Sequence, residues 1–159
     1  MNIEKMVQEL ADIQEIKNRK HSYCYWVDAG ISGDEKAWDQ LLDRIVDEGR
    51  GEYTNLGVFE GKEALTMFFK ELVSGFLSYS RHQVHNPLIT INGKEAKGRW
   101  QVEVPCTLKK SNRAAYIIGE YEETYVKKNG TWMWKEIKAH LDCISPYEDG
   151  WVKNNWDTE

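Results

Sequence analysis

Two of the four histidines fall in one stretch, Arg81-His82-Gln83-Val84-His85-Asn86-Pro87. Histidine titrates nearest neutral pH of all side chains, where proton transfer is most useful. A carboxylate bonded to one ring nitrogen fixes the tautomer and stabilises the imidazolium. The other nitrogen is then free to remove a proton next to a carbonyl or a leaving group. The stretch runs into Leu88-Ile89-Thr90-Ile91, which reads as strand. Successive strand side chains point to opposite faces. If strand already runs at His82, then His82 and His85, three apart, face opposite ways. One ring enters the interior and the other faces out or into a neighbouring element. The same divergence argues against His82-x-x-His85 as a metal-ligand pair, and no carboxylate or Cys cluster lies nearby in sequence. No metal and no organic cofactor is expected.

The elements that must position these residues follow from periodicity. Asn2 to Ala29 reads as one long helix, with Ile13, Ile16, Lys17, Lys20, Cys24 and Val27 at three-and-four spacing and Gly30 as its stop. Asp34 caps a second helix whose apolar stripe is Trp38, Leu41, Leu42 and Ile45, and Gly49-Arg50-Gly51 breaks it. Glu52 to Asn55 is a short strand candidate, and Gly57 and Gly61 mark turns around Val58-Phe59-Glu60. Lys62 to Phe76 is a third amphipathic helix.

From Tyr79 onward the chain turns to strands. Asn92-Gly93 ends the first as a strong hairpin signal. Residues 96 to 106 alternate, with Ala96, Gly98, Trp100, Val102, Val104 and Cys106 on one face and Lys97, Arg99, Gln101 and Glu103 on the other. Turns at Lys109 to Arg113 and Lys127-Lys128-Asn129-Gly130 separate two more long strands, the last from Thr131 to about Ile144. Three helices followed by a meander of four long strands is an α+β pattern, and hairpin turns between long strands imply an antiparallel sheet with one face on the helices.

Composition bounds the rest. A chain of 159 residues suits one domain, 1–159, with a core over about 10–147 and a tail over 148–159. The net charge is −5 and no basic stripe appears, which argues against a nucleic-acid partner. No apolar run reaches the length of a membrane span, so no membrane partner is expected. The N-terminal Met1-Asn2-Ile3-Glu4-Lys5 turns polar at once, and three cysteines (Cys24, Cys106, Cys143) show no metal or redox spacing. Reduced thiols and a cytoplasmic location are expected. Seven Trp and eight Tyr suit both a core and the wall of an apolar cavity.

An ordered set of short motifs carries a resemblance. It runs through Ile16-Lys17-x-x-Lys20-x-x-Tyr23-x-x-x-x-Asp28, then Trp38-Asp39-x-Leu41 and Phe59-x-Gly61. It continues through Ser80-x-His82-x-x-His85-Asn86-Pro87-x-Ile89, Ala96-x-Gly98-x-Trp100 and Asn129-Gly130-x-Trp132, and closes at Ser145-Pro146-Tyr147. The chain resembles the SnoaL-like branch of the nuclear-transport-factor-2-like superfamily over roughly residues 10 to 151. The resemblance implies a cone: a strongly curved antiparallel sheet wrapped around the long first helix, with an apolar pocket inside the wide end. That family includes dehydratases, a hexachlorocyclohexane dehydrochlorinase and a ketosteroid isomerase, besides members without known chemistry. It implies Asp28 as the helix aspartate that pairs with a catalytic histidine, His82 as that histidine, and Tyr23 as a pocket tyrosine. Val104 stands where the bile-acid dehydratase is acidic, and Ile137 where the dehydrochlorinase has arginine, so neither exact activity transfers.

The expectation is a cofactor-independent lyase or isomerase acting on a hydrophobic, ring-containing small molecule. His82 is the base, Asp28 its orienter and Tyr23 the hydrogen-bond donor to a developing enolate or departing hydroxyl. Trp26, Trp100, Phe59, Tyr53 and His140 are the candidate substrate-binding residues. His140 and Glu136 are placed on the same strand face as Trp132 and Trp134, as pocket residues or as the solvated side. The alternating Lys97, Arg99, Gln101 and Glu103 face suits a homodimer or homotrimer contact, and it suits water equally well. The rival readings are a non-catalytic small-molecule-binding module and a structural subunit on the same fold. An Asp–His pair that only fixes the helix on the sheet fits both rivals.

Overall fold

The computed structural model describes residues 2–158. Helix α1 runs from Ile3 to Ile31, and the side chain of Asn2 caps its first turn by accepting from the Glu4 and Lys5 N–H groups. Helix α2 follows as Glu35–Leu42, capped by Asp34. Strands β1 (Ile45–Tyr53) and β2 (Gly57–Glu60) form a hairpin. Helix α3 (Gly61–Met67) continues through a π-helical stretch, Phe68–Val73, into a final turn, α4 (Ser74–Phe76). Strands β3 (Leu77–Ser80), β4 (Gln83–Asn92), β5 (Glu95–Leu108), β6 (Arg113–Lys128) and β7 (Thr131–Pro146) complete the sheet, and a short helix α5 (Gly150–Lys153) lies in the tail.

The architecture is α+β, as expected. The seven strands form one curved open sheet in the order β2-β1-β7-β6-β5-β3, with β4 also paired to β5. Helix α1 packs against β3, β4 and β7. The expected alternation of β5 holds along its whole length, with Ala96, Trp100, Val102, Val104 and Cys106 buried. The hairpin signal at Asn129-Gly130 is equally direct: both residues adopt positive φ, the backbone that a tight two-residue turn requires.

Four local expectations are corrected. Gly30 does not stop α1, which runs one residue past it. Its missing Cβ is used for packing instead, because a Cβ there would lie 2.2 Å from the Trp38 ring. The second helix ends at Leu42, and Ile45 belongs to β1, as does Gly49-Arg50-Gly51. Helical spacing covered Ile45, but its pairing with Trp134 of β7 prevails. The sheet is not wholly antiparallel, since β1 runs parallel to β7. Lastly, His82 lies between β3 and β4 rather than within a strand, while His85 sits in β4 opposite Gln101.

Two irregularities in β7 set which side chains face α1. Tyr125 pairs with Trp134 but Thr124 with Glu136, so Lys135 is an extra residue. Ile118 pairs with Cys143 but Gly119 with Leu141, so Asp142 is a second. Each bulge changes the parity of inward and outward positions. Trp132 and Trp134 therefore point inward before the first bulge, and Ile137 and Ala139 after it.

Candidate active site

Asp28 lies near the C-terminal end of α1, one helical turn beyond Cys24. It faces the break between β3 and β4, so its carboxylate meets the backbone where the chain changes strands. Oδ1 lies 2.7 Å from Nδ1 of His82. The backbone N–H of His82 donates to both carboxylate oxygens, at 3.2 Å and 3.1 Å. The hydroxyl of Ser80 donates to Oδ1 at 2.6 Å. A carboxylate with this many donors is held in one orientation. Both side chains are largely enclosed, at 12% exposure for Asp28 and 9% for His82.

The His82 ring borders a cavity of about 80 Å³ within the fold. Most of its wall is apolar, including Val27, Phe69, Val104 and Ile144. The polar exceptions are His82 and three tyrosines, Tyr23 from α1, Tyr53 from β1 and Tyr121 from β6. The Tyr23 ring meets those of His82 and Tyr121 edge-on, at centroid distances of 6.4 Å and 5.9 Å. Burial pushes the hydroxyls of Tyr23, Tyr53 and Tyr121 above the ordinary phenol range, and the mutual influence of the tyrosines adds to it for Tyr23 and Tyr53. They therefore face the cavity as neutral O–H groups. The Tyr53 hydroxyl is buried and finds no hydrogen-bond partner among the described residues. Leu56, in the turn after β1, is 38% exposed and marks where the lining reaches the surface.

Asp28, His82, Tyr23 and Tyr53 are thus gathered at one place. The other substrate-binding candidates are not in the cavity wall. Trp100 is wholly buried and Trp26 packs against the core. Phe59 stands behind the wall, against Phe68 at 4.6 Å. His140 is on the outer face, 3.5 Å from Glu122, because the bulge at Lys135 turned the strand by one position. Glu136 moves outward with it and pairs with Arg50 at 2.7 Å.

Sequence reading missed two parts of this site. Ser80 lies two residues before His82 in the sequence, where spacing alone gives it no role. A serine two residues before His82, at a strand end, was the available signal. Lys20, a helix-stripe residue in the sequence, forms a buried polar cluster with Glu123 and Tyr125 of β6 behind the tyrosines. Nothing local marks them, since Lys20 and Glu123 are 103 positions apart. Among the described residues, no three His, Cys, Asp or Glu side chains converge as metal ligands would.

A long helix laid in a curved sheet, with an Asp–His pair on an apolar cavity, defines a cone-shaped α+β class. The chain belongs to the SnoaL-like domain family, whose sequence model matches residues 8–138. Solved structures of the same fold agree. A hexachlorocyclohexane dehydrochlorinase from Novosphingobium barchaimii is 16% identical, with 88% of this chain and 92% of that one covered at a TM-score of 0.77. A protein provisionally assigned as a scytalone dehydratase, from Novosphingobium aromaticivorans, is 20% identical, with coverage of 89% and 91% and a TM-score of 0.78. A nuclear-transport-factor-2-like protein from Salmonella enterica is 17% identical, with coverage of 86% and 92% and a TM-score of 0.70. At these identities the likeness concerns the fold. No helix among the described residues is long and apolar enough to cross a membrane.

Proposed function

We propose that this chain is a cofactor-independent lyase or isomerase acting on a hydrophobic, ring-containing small molecule. One observation carries the reading: His82 is held through Nδ1 by Asp28 at 2.7 Å while its ring borders an apolar cavity. With Nδ1 occupied, Nε2 is the nitrogen left to take a proton from carbon. In an elimination that proton moves to Nε2, the C–H electrons form the new C=C bond, and the leaving group departs with its own bonding pair. In an isomerisation the same nitrogen returns the proton to another carbon. Asp28 orients the ring and stabilises the imidazolium. Tyr23, kept neutral by burial, donates to the oxygen that gains charge. The names of the dehydrochlorinase and the provisional scytalone dehydratase support this class of chemistry.

Screening ring-bearing alcohols, halides and ketones against the wild type, His82→Ala and Asp28→Asn tests it. A positioned base contributes about 10²–10⁴-fold, and losses of that size in kcat are expected for His82→Ala. Unchanged turnover in both variants would falsify the proposal.

A second reading is a binding module without chemistry. At about 80 Å³ the cavity is smaller than the ~150 Å³ engineered apolar cavity that takes up benzene. A ring therefore enters only if side chains of the wall move. A ligand recovered chemically unaltered after long incubation supports this alternative. A homodimeric or homotrimeric assembly through the outer sheet face and a cytoplasmic setting complete the proposal. The three buried free cysteines suit a reducing compartment, and light scattering tests the assembly.

A further inference from the structure

The Asp–His pair borders a second space, outside the fold. Helix α1 carries His21, Cys24, Tyr25 and Asp28 at three-and-four spacing, which is one stripe of a helix. Facing that stripe are Arg81, His82, Gln83 and Val84, where the chain passes from β3 into β4. Together these residues line an open cleft of about 380 Å³. His82 is the one residue that lines both this cleft and the interior cavity. Small-ligand sites run from about 300 to 1,000 Å³, so the cleft has the size that the cavity lacks.

Its charges are unevenly satisfied. Asp28, the acid of the wall, already accepts from the His82 ring, the His82 backbone N–H and the Ser80 hydroxyl. Arg19, Arg50, Arg99 and Arg113 each hold a carboxylate within ion-pair distance. Arg81 is exposed and has no such partner among the described residues. Its backbone is fixed, with the N–H donating to the Pro105 carbonyl at 3.0 Å. A guanidinium presents a planar fork that matches a carboxylate with two parallel hydrogen bonds. The rest of the wall suits a flat ring. Tyr25 is 73% exposed, and Cys24 and Val84 add apolar surface beside it. Aromatic rings pack favourably on one another.

We propose that this cleft binds a small aromatic carboxylate, with the carboxylate on the Arg81 guanidinium and the ring against Tyr25. The site is separate from the interior cavity, and its ligand rests against the outer side of the same histidine.

The test uses benzoate, beside benzyl alcohol, which keeps the ring without the charge. NMR titration of isotope-labelled protein reads affinity and place together. Benzoate should bind saturably, more tightly than benzyl alcohol, and shift the signals of residues 21–28 and 81–84. Arg81→Gln, a change at an exposed side chain, should weaken benzoate by about fivefold or more and leave benzyl alcohol unchanged. Tyr25→Ala should weaken both compounds. Ala139→Leu, which fills the interior cavity, should leave benzoate affinity as it is. No saturable benzoate binding by the wild type overturns the inference, as does unchanged benzoate affinity in Arg81→Gln or Tyr25→Ala. Loss of benzoate binding in Ala139→Leu places the anion in the cavity, which overturns the cleft and leaves the cavity reading standing. If benzoate behaves as expected while His82→Ala and Asp28→Asn leave turnover unchanged, the cleft stands and the Asp–His chemistry is what fails.

Discussion

The Asp28 carboxylate holds His82 in two places at once, the ring Nδ1 at 2.7 Å and the backbone N–H at 3.1 Å. The same group takes the Ser80 hydroxyl at 2.6 Å. One side chain of α1 thus fixes both the histidine and the chain crossing from β3 to β4. Asp28→Ala strands several donors in an enclosed site and should cost about 2–4 kcal/mol of unfolding free energy. Ser80→Ala removes a single partner and should cost about 1 kcal/mol. Urea unfolding measures both. Equal costs would mean that Asp28 is not the hub of this network.

Ala139 is buried in the cavity wall, beyond the bulge that turns β7. Ala139→Leu places a larger side chain in the space a ligand would need. The thermal midpoint should stay within about 2–4 °C of the wild type, the shift that 1 kcal/mol gives a domain of this size, while binding of any cavity ligand is lost. Calorimetric titration with a ligand found by screening decides the matter. Undiminished affinity would place the ligand somewhere other than this cavity.

Gly119 sits where β6 and β7 shift register, and a Cβ there would lie 2.2 Å from the carbonyl oxygen of His140. That neighbour is backbone and has little freedom to move aside. Gly119→Ala should destabilise the fold by about 3 kcal/mol, the upper end for overpacking. Gly75→Ala is the control, since nothing lies within 4 Å of its added Cβ. Parallel thermal melts compare them, and indistinguishable midpoints would count against a close approach of β6 and β7 at this bulge.

Burial pushes the Cys24 thiol up to about 11 and that of Cys106 to about 12, from an ordinary 9.0. For Cys24, Lys20 opposes the shift without cancelling it. A raised folded value means that the native state holds the proton more tightly than the unfolded chain. Stability from these thiols is then complete below about pH 9 and is lost as pH rises towards 11 and 12. The buried tyrosines, raised from 10.0, add to the loss above that pH. Urea midpoints measured from pH 8 to pH 11 should fall steadily at the alkaline end. A flat profile there would contradict this linkage.

Much of the fold was legible where the cause is local. The helix α1, its polar start, the Asp34 cap and the two-residue turns each depend on neighbours a few positions away. The alternation of β5 was readable because one face is buried along its full length. Of strand β1 only the end, Glu52-Tyr53, was legible, because Ile45 continued the helical stripe of α2 and its partner in β7, Trp134, is distant in sequence.

The site divides in the same way. By itself the sequence determined an α+β order of elements, the residue types for an Asp–His pair, and an aromatic-rich interior. Tertiary structure decided which of those residues meet. It brought Ser80 to Asp28, gathered three tyrosines from α1, β1 and β6 at one cavity, and buried Lys20 against Glu123 behind two of them. It also turned His140 away from the cavity through one extra residue in β7. The physical reason is range. Capping and turns are settled within one turn of helix or one hairpin, whereas strand register and side-chain convergence depend on contacts between segments tens of residues apart.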